Sequence, residues 1–255
     1  MFNEQPKVIL LVAGEGKRLR PHTLDRPKCM VEIDGISLIE RQIKILKTMK
    51  LDNILMIGGY KANMLKRNDA DLKINDRYHE TNMVWTLFSA EDEFEGEVIV
   101  SYGDIVYSSK ILKALLKSDS DIAVTVDTDW KNYWQARNEN PLDDAESLKL
   151  DSVGDIIEIG KKPKSINEID AQYMGLMKFS QKGINQIKKI FHNALEVGDL
   201  LGKPIETAYM TDLLQATIDE GYSVHSVPVS GGWIEIDTVE DLQSQYTLDR
   251  VKQIT

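Results

Sequence analysis

Residues 8–28 concentrate more potential chemistry than any other stretch of the chain. The apolar run Val8-Ile9-Leu10-Leu11-Val12-Ala13 opens into Gly14-Glu15-Gly16, and the cations Lys17, Arg18, Arg20, Arg26 and Lys28 follow. Two glycines let backbone N–H groups approach an anion with no Cβ in the way, and the cations supply charge that a carboxylate or ketone would not need. The combination predicts a triphosphate site. A dinucleotide loop is excluded, because its third glycine would fall at Leu19, and Arg20-Pro21-His22-Thr23 does not read as the helix that should follow. A Walker A loop is disfavoured as well: a single residue separates Gly14 from Gly16, and Lys17 is followed by Arg18 rather than Ser or Thr.

A bound triphosphate calls for a hard cation, and Mg²⁺ takes one or two protein carboxylates beside phosphates and water. The segment 98–104 runs through Val98-Ile99-Val100 to Asp104, a carboxylate at the end of an expected strand. In Trp233-Ile234-Glu235-Ile236-Asp237, alternation puts Trp233, Glu235 and Asp237 on one face and turns both isoleucines to the core. Asp104 and Asp237 are therefore the expected metal ligands. Asp237 also stands where a helix N-cap belongs, a role that Thr238 can take instead. With charge neutralised in this way, an anionic oxygen can attack phosphorus without a general base, and catalysis reduces to positioning and electrostatics.

The elements that must hold these residues alternate between short apolar runs and helical patterns, the mark of a mostly parallel sheet flanked by helices. Strands are expected at 7–13, 53–57, 71–74, 97–101 and 121–126. Helices are expected at 37–50 (Ile39, Ile43, Leu46, Met49) and 82–94 (Met83, Leu87, Ala90, Phe94). Between 145 and 179 the pattern turns β-rich, at 146–150, 155–160 and 171–179, which reads as a meander forming a small second lobe. Helices at 181–196 and 207–219, a strand at 222–228 and a polar helix from Thr238 complete the chain, with 197–206 as the expected flexible loop. Ligands in such sheets lie outside the carboxyl ends of the strands, where the glycine loop and Asp104 fall.

Composition narrows the function classes. A chain of 255 residues with 42% hydrophobic content can bury roughly 70–75% of its unfolded surface. It fits one domain: a nucleotide-binding half at 1–126, an acceptor and metal half at 127–237, and a C-terminal helix at 238–255. The net charge of −10 argues against a nucleic-acid surface and makes the cations of the first loop a local feature. The lone cysteine, Cys29, excludes an internal disulfide and reads as a small buried residue. The longest apolar run is too short to span a bilayer, and the N-terminus lacks a signal-peptide pattern, so a cytoplasmic protein, monomeric or homodimeric, is expected.

The string LVAGEGKRLRPHT followed by RPK resembles the signature of the sugar-nucleotidyltransferase-like superfamily, L-A-A-G-x-G-x-R-L-x-P-x-T and then P-K. The resemblance implies a Rossmann-like nucleotidyltransferase fold with a small β-rich acceptor-binding lobe. It also implies that Val12, Ala13, Gly14, Gly16 and Lys17 cradle the nucleotide. Arg18 would stabilise the departing pyrophosphate, Lys28 would draw the α-phosphate and the incoming anion together, and Asp104 and Asp237 would hold Mg²⁺. The base would lie against the turn Gly58-Gly59-Tyr60 and against Asn82, which could equally be a helix N-cap. Lys161 or Lys162 would bind the acceptor phosphate.

The segments 80–85, 101–107, 140–146 and 171–176 look most like cytidylyltransferases acting on small phosphorylated or phosphonate compounds, such as phosphocholine, aminoethylphosphonate or phosphoglutamine. That likeness implies CTP as the donor. Sugar-1-phosphate uridylyl-, thymidylyl- or guanylyltransferases and a non-catalytic nucleotide sensor are the alternatives. For the acceptor head group, Trp130, Trp134 and Tyr173 with Asp143, Asp144 or Glu146 would suit an ammonium.

Overall fold

The computed structural model describes residues 5–254. Its centre is strand β1, Lys7–Val12, whose alternate residues are buried on opposite sides. Val8, Leu10 and Val12 enter one core, and Ile9 and Leu11 enter the other. Only a strand covered on both faces needs such a continuous apolar run. Beside it lie β2 (Ile54–Gly58), β3 (Asp71–Ile74) and β4 (Val98–Tyr102). Next come β5 (Ile105–Tyr107), β6 (Ile122–Asp127), β7 (Leu148–Leu150), β8 (Ile156–Ile159), β9 (Gln172–Phe179), β10 (His225–Val229) and β11 (Trp233–Glu235). The main sheet has seven strands in the order β10-β6-β9-β4-β1-β2-β3. Its neighbours run parallel except β9, which is antiparallel to both β4 and β6.

Helices cover both faces. Helices α1 (Leu38–Thr48), α2 (Met83–Phe88), α3 (Ser109–Leu116), α4 (Trp130–Arg137), α5 (Gln181–Val197), α6 (Met210–Asp219), α7 (Val239–Gln243) and α8 (Gln245–Ile254) follow in chain order. The apolar residues of α1, α3 and α4 join one core, and those of α2, α5 and α6 join the other. Ser37 starts α1 with a capping box, its hydroxyl accepting the Glu40 N–H while the Glu40 carboxylate accepts the Ser37 N–H.

The mixed, mostly parallel sheet agrees with the expected fold class, but several elements differ in detail. Residues 171–179 do not form a meander strand. As β9 they run inside the main sheet, with Met174 and Leu176 in one core and Met177 and Phe179 in the other. Of the three segments expected to form the meander, only β7 and β8 pair with each other, as a small antiparallel unit. The helix expected over 82–94 stops at Phe88 and gives way to a 3-10 turn at Glu91–Glu93. Segment 197–206 is not a loose loop: Asp199–Leu200 pairs with Lys203–Pro204, Leu200 and Ile205 are buried, and Lys203 Nζ reaches Asp212 at 2.7 Å. The C-terminal helix is broken by extended backbone at Ser244 into α7 and α8. Among the described residues, no helix is long and apolar enough to cross a membrane.

Register then gathers the candidate residues. Strands β1 and β4 are parallel neighbours with Leu11 opposite Tyr102, so the glycine loop and Asp104 leave the same edge of the sheet. The pair β11–β5 sets Glu235 opposite Ile105, and the Ile236 N–H bonds to the Asp104 carbonyl at 3.0 Å. A segment more than a hundred residues later in sequence is thereby stitched to the end of β4.

Candidate active site

The glycine loop folds back on itself. Gly16 has φ +64°, and a Cβ there would stand 3.0 Å from Lys28 Cγ and 3.2 Å from Thr23 Cγ2. A side chain at this position would be strained by the backbone and would displace the lysine beneath it. Thr23 Oγ1 donates to the Gly16 carbonyl at 2.8 Å, and the Lys28 N–H to the Gly14 carbonyl at 3.2 Å. The returning chain therefore carries Lys28 under the loop. Above it opens a cleft of about 510 Å³, with Val12, Ala13, Gly14, Gly16, Lys17 and Arg18 along one wall, Tyr78, His79, Thr81 and Asn82 along another, and Lys28, Asp104, Glu235 and Asp237 in its charged part.

Opposite charges interlock there. Lys28 Nζ donates to Asp104 Oδ2 at 2.6 Å and also to Asp237 Oδ1. Arg18 Nη2 lies 3.2 Å from Asp237 Oδ1. Burial opposes the lysine's charge, but Asp104 and Asp237 outweigh it and hold its pKa above the ordinary lysine value. Burial likewise opposes ionisation of Asp237, and Lys28 reverses the balance, with Arg18 and Arg137 adding to it, so this carboxyl titrates below its usual range. Glu235 shifts the other way, because burial and repulsion by Asp237 exceed what Arg137 gives back.

Oxygens of Asp104, Glu235 and Asp237 lie within 4.8 Å of one another. Asp104 Oδ1 is buried with no hydrogen-bond partner among the described residues. Three convergent carboxylates, one with an orphaned oxygen, are the hard donor set that a divalent cation such as Mg²⁺ takes, so the residues present fit a metal. The side chain of Asp237 is not spent on capping. Thr238 Oγ1 accepts the Asp241 N–H at 3.1 Å, and Asp241 Oδ2 accepts the N–H groups of Thr238 and Asp237, each at 3.0 Å. Asn82 does two things at once: it lines the cleft, and its Oδ1 accepts the Met83 N–H at 2.9 Å as the cap of α2.

Other expected site residues stand elsewhere. Gly58, Gly59 and Tyr60 do not line the cleft. Gly59 is pressed against Tyr78, where a Cβ would meet the tyrosine Cβ at 2.4 Å, and Tyr60 turns its hydroxyl to the Leu24 carbonyl. Tyr78 and His79 take their place in the wall. Trp130 and Trp134, at 1% and 3% exposure, belong to the core. Their helix has Tyr133 between them, and all three rings pack in edge or tilted contacts around Trp233 and one another. They form no open cage for a ligand. Tyr173 meets Tyr102 edge to face, with centroids 5.7 Å apart, and it is Tyr102 that faces the cleft.

The acidic and basic residues assigned to the acceptor also lie outside the cleft wall. Asp143 and Asp144 are exposed, and Asp144 comes no nearer than 4.0 Å to Arg137. Lys161 pairs with Glu158 at 2.8 Å, and Lys162 donates to the carbonyls of Leu142 and Asp143. Glu146 is largely enclosed, and burial together with Asp212 raises its pKa against the pull of Lys203.

Sequence reasoning missed Arg137 altogether. It is the fourth residue of a 130, 133, 134, 137 face whose first three members are aromatic, and that helical spacing was the available signal. Glu235 shared the expected face of Asp237 without being assigned a role. Tyr209, just before α6, lines the cleft and carried no motif.

Residues 8–155 match the MobA-like NTP transferase domain. A CTP:phosphoglutamine cytidylyltransferase of Campylobacter jejuni is 40% identical over 250 residues, 93% of this chain and 98% of that protein. A choline-phosphate cytidylyltransferase of Streptococcus pneumoniae is 29% identical over 116 residues, 44% of this chain and 51% of that protein. Among solved structures, the inositol-1-phosphate CTP transferase from T. maritima superposes with a TM-score of 0.76 over 99% of this chain and 98% of that one, at 20% identity. At that identity the likeness speaks for the fold.

Proposed function

The chain belongs to the MobA-like NTP transferase domain family, and from that premise we propose that it is a Mg²⁺-dependent cytidylyltransferase that transfers CMP from CTP to a small phosphate- or phosphonate-bearing acceptor. Near-full-length similarity to a CTP:phosphoglutamine cytidylyltransferase supports CTP as donor and makes phosphoglutamine the first acceptor to try. The observation that carries the chemistry is the convergence of Lys28, Arg18, Asp104 and Asp237 at the mouth of the glycine loop.

The reaction needs no proton abstraction. An anionic oxygen of the acceptor bonds to the α-phosphorus, the bond from that phosphorus to the α,β-bridging oxygen breaks, and pyrophosphate leaves with the electron pair. Lys28 lies deep enough to touch both the α-phosphate and the incoming anion and lessens their mutual repulsion. Arg18, at the open rim, meets the β- and γ-phosphates and the charge that builds on the leaving group. Asp104, Asp237 and Glu235 would hold the Mg²⁺, which when bound neutralises charge on the phosphate oxygens. Backbone N–H groups of Gly14 and Gly16 cradle the triphosphate, and the wall of Tyr78, His79, Thr81 and Asn82 receives the base.

Pyrophosphate release tests this. The protein would be incubated with MgCl₂ and CTP, UTP, dTTP or GTP in turn, each with phosphoglutamine, phosphocholine, 2-aminoethylphosphonate or glucose-1-phosphate. Turnover is expected with CTP and a nitrogen-bearing acceptor, phosphoglutamine foremost. Turnover confined to glucose-1-phosphate would transfer the protein to the sugar nucleotidyltransferases, and none with any pair would leave a nucleotide sensor.

A further inference from the structure

Behind the carboxylate cluster, on the side away from the cleft, lies a cation that has no place in the reaction described above. Arg137, the last residue of α4, has a side chain only 6% exposed. Its Nε donates to Asp241 Oδ1 at 2.8 Å and its Nη2 to Asp241 Oδ2 at 3.1 Å, a bidentate fork. Its Nη1 donates to Glu235 Oε2 at 2.8 Å, and Nη2 stands 3.8 Å from Asp237 Oδ2. One guanidinium thus reaches every carboxylate on the segment 235–241, apart from the outward Glu240.

We infer that Arg137 is the positioning residue of the metal site: by gripping Glu235 and Asp241 from the core, it holds the Glu235 and Asp237 carboxylates where a divalent cation can engage them together. The inference rests on the metal reading proposed above. Three observations favour it over a purely structural ion pair.

First, the backbone carrying the ligands is fixed by the same helix. The Tyr133 hydroxyl accepts the Glu235 N–H at 2.8 Å and donates to the Glu235 carbonyl at 3.2 Å, while Asp241, held by the fork, accepts the Asp237 N–H. Second, the guanidinium itself is confined, lying 5.3 Å from the Tyr133 ring centre and 5.5 Å from that of Trp134. The cation that these aromatics receive is the protein's own. Third, Lys28 and Arg18 line the cleft, within reach of a ligand there, whereas Arg137 does not line it. Four carboxylates crowded together repel one another, and stability alone is served as well by an apolar cluster at a buried ion-pair site. A buried fork is accounted for if the carboxylates must stay aligned.

The test uses the full-length protein and Mn²⁺ as the probe, with free Mn²⁺ followed by electron paramagnetic resonance, with and without a non-hydrolysable CTP analogue. Arg137→Lys keeps the charge and loses the fork, and Arg137→Met loses both. Both are expected to weaken Mn²⁺ binding by about 10- to 100-fold, the range for residues that orient metal ligands. Arg137→Lys should lower kcat by a similar factor while KM for CTP changes less than about threefold. Asp241→Asn, which keeps the cap but weakens the fork, should move the same way and serves if Arg137→Met does not fold. Folded variants that lose melting temperature but bind Mn²⁺ like the parent would overturn the inference. Tighter binding in Arg137→Met would also overturn it, by showing that the arginine acts only as a repelling charge. A parent protein that binds no Mn²⁺ even with the nucleotide analogue would instead refute the metal reading itself.

Discussion

Replacing Lys28 by Met keeps the length of the side chain and removes its charge, which leaves Asp104 and Asp237 facing each other across the position of the ammonium. The three side chains are 15%, 19% and 12% exposed, so the group is largely shielded from water. Removing one partner of a buried pair costs about 3–5 kcal/mol. Arg18, still 3.2 Å from Asp237, compensates in part, which argues for the lower end, about 3 kcal/mol. For a chain of this size that lowers Tm by roughly 6–12 °C in metal-free buffer. Added MgCl₂ should recover part of the loss, because a cation between the two carboxylates replaces the missing one. Turnover should fall by about 10²- to 10³-fold, the scale for losing one preorganised electrostatic contact to a transition state.

The pH dependence of that stability difference has a definite sign. The lowered pKa of Asp237 means its contribution is present above its unfolded value and is lost as pH falls through the folded one. The raised pKa of Lys28 keeps its contribution intact until well into the alkaline range. The part of the gap in melting temperature between parent and variant that comes from Asp237 should therefore close below about pH 4. Calorimetry as a function of pH together with pyrophosphate release measures both halves of the prediction. Turnover within about threefold of the parent would refute the assigned role of Lys28, and an unchanged Tm would show the ion triad to be incidental.

Two further outcomes follow from the same geometry. Asp237→Asn should raise the Mg²⁺ concentration for half-maximal turnover by more than about tenfold and also lower Tm, because it takes a carboxylate from Lys28 and Arg18, while Thr238→Ala should cost about 1 kcal/mol as a lost cap and leave the Mg²⁺ requirement alone; a magnesium titration in which Thr238→Ala shifts the requirement and Asp237→Asn does not would refute this assignment. Burial pushes the Cys29 thiol up to about 12, so at pH 8 only about 10⁻⁴ of it is thiolate and iodoacetamide should label the native protein at least about a hundredfold more slowly than the unfolded chain; prompt labelling of the folded protein would contradict that burial.

The parts of this molecule legible in its sequence are those where local pattern and chemistry coincide. The run 8–13 with its glycines and cations specifies a buried strand that opens into a cation-rich glycine loop within two dozen residues, so nothing distant is needed to interpret it. Asp104 was legible because it ends a strand, and Asp237 because alternation fixed its face. Legibility fails where partners are far apart in the chain. That β9 inserts between β4 and β6 depends on pairing with residues 45 to 81 positions earlier, and an apolar alternating strand reads the same in a meander as in the centre of a sheet. The turn 58–60 was assigned to the base through the family resemblance alone, yet Tyr78, which no spacing rule connects to Gly59, packs directly against it.

The aromatics of α4 carry the same point into function. Trp130, Tyr133 and Trp134 on one helical face are equally compatible with a ligand cage and with a core, and the composition of that face cannot distinguish them. Arg137 one turn later decides the matter, because a guanidinium against those rings needs carboxylates to offset its burial, and of the two it bonds, Asp241 and Glu235, the second lines the cleft. The chain thus divides its cations by depth. Lys28 and Arg18 are reachable from the cleft and can exchange carboxylate partners for phosphates, while Arg137 is walled off and keeps its own. Tyr102 and Tyr209 also line the cleft, and the carboxyl of Glu146 lies close enough to influence the Tyr102 hydroxyl. If these residues meet the acceptor's head group, its choice is separable from metal binding. Substitutions at Tyr209 or Glu146 should redirect acceptor choice without altering the metal requirement, whereas those at Arg137 should do the reverse.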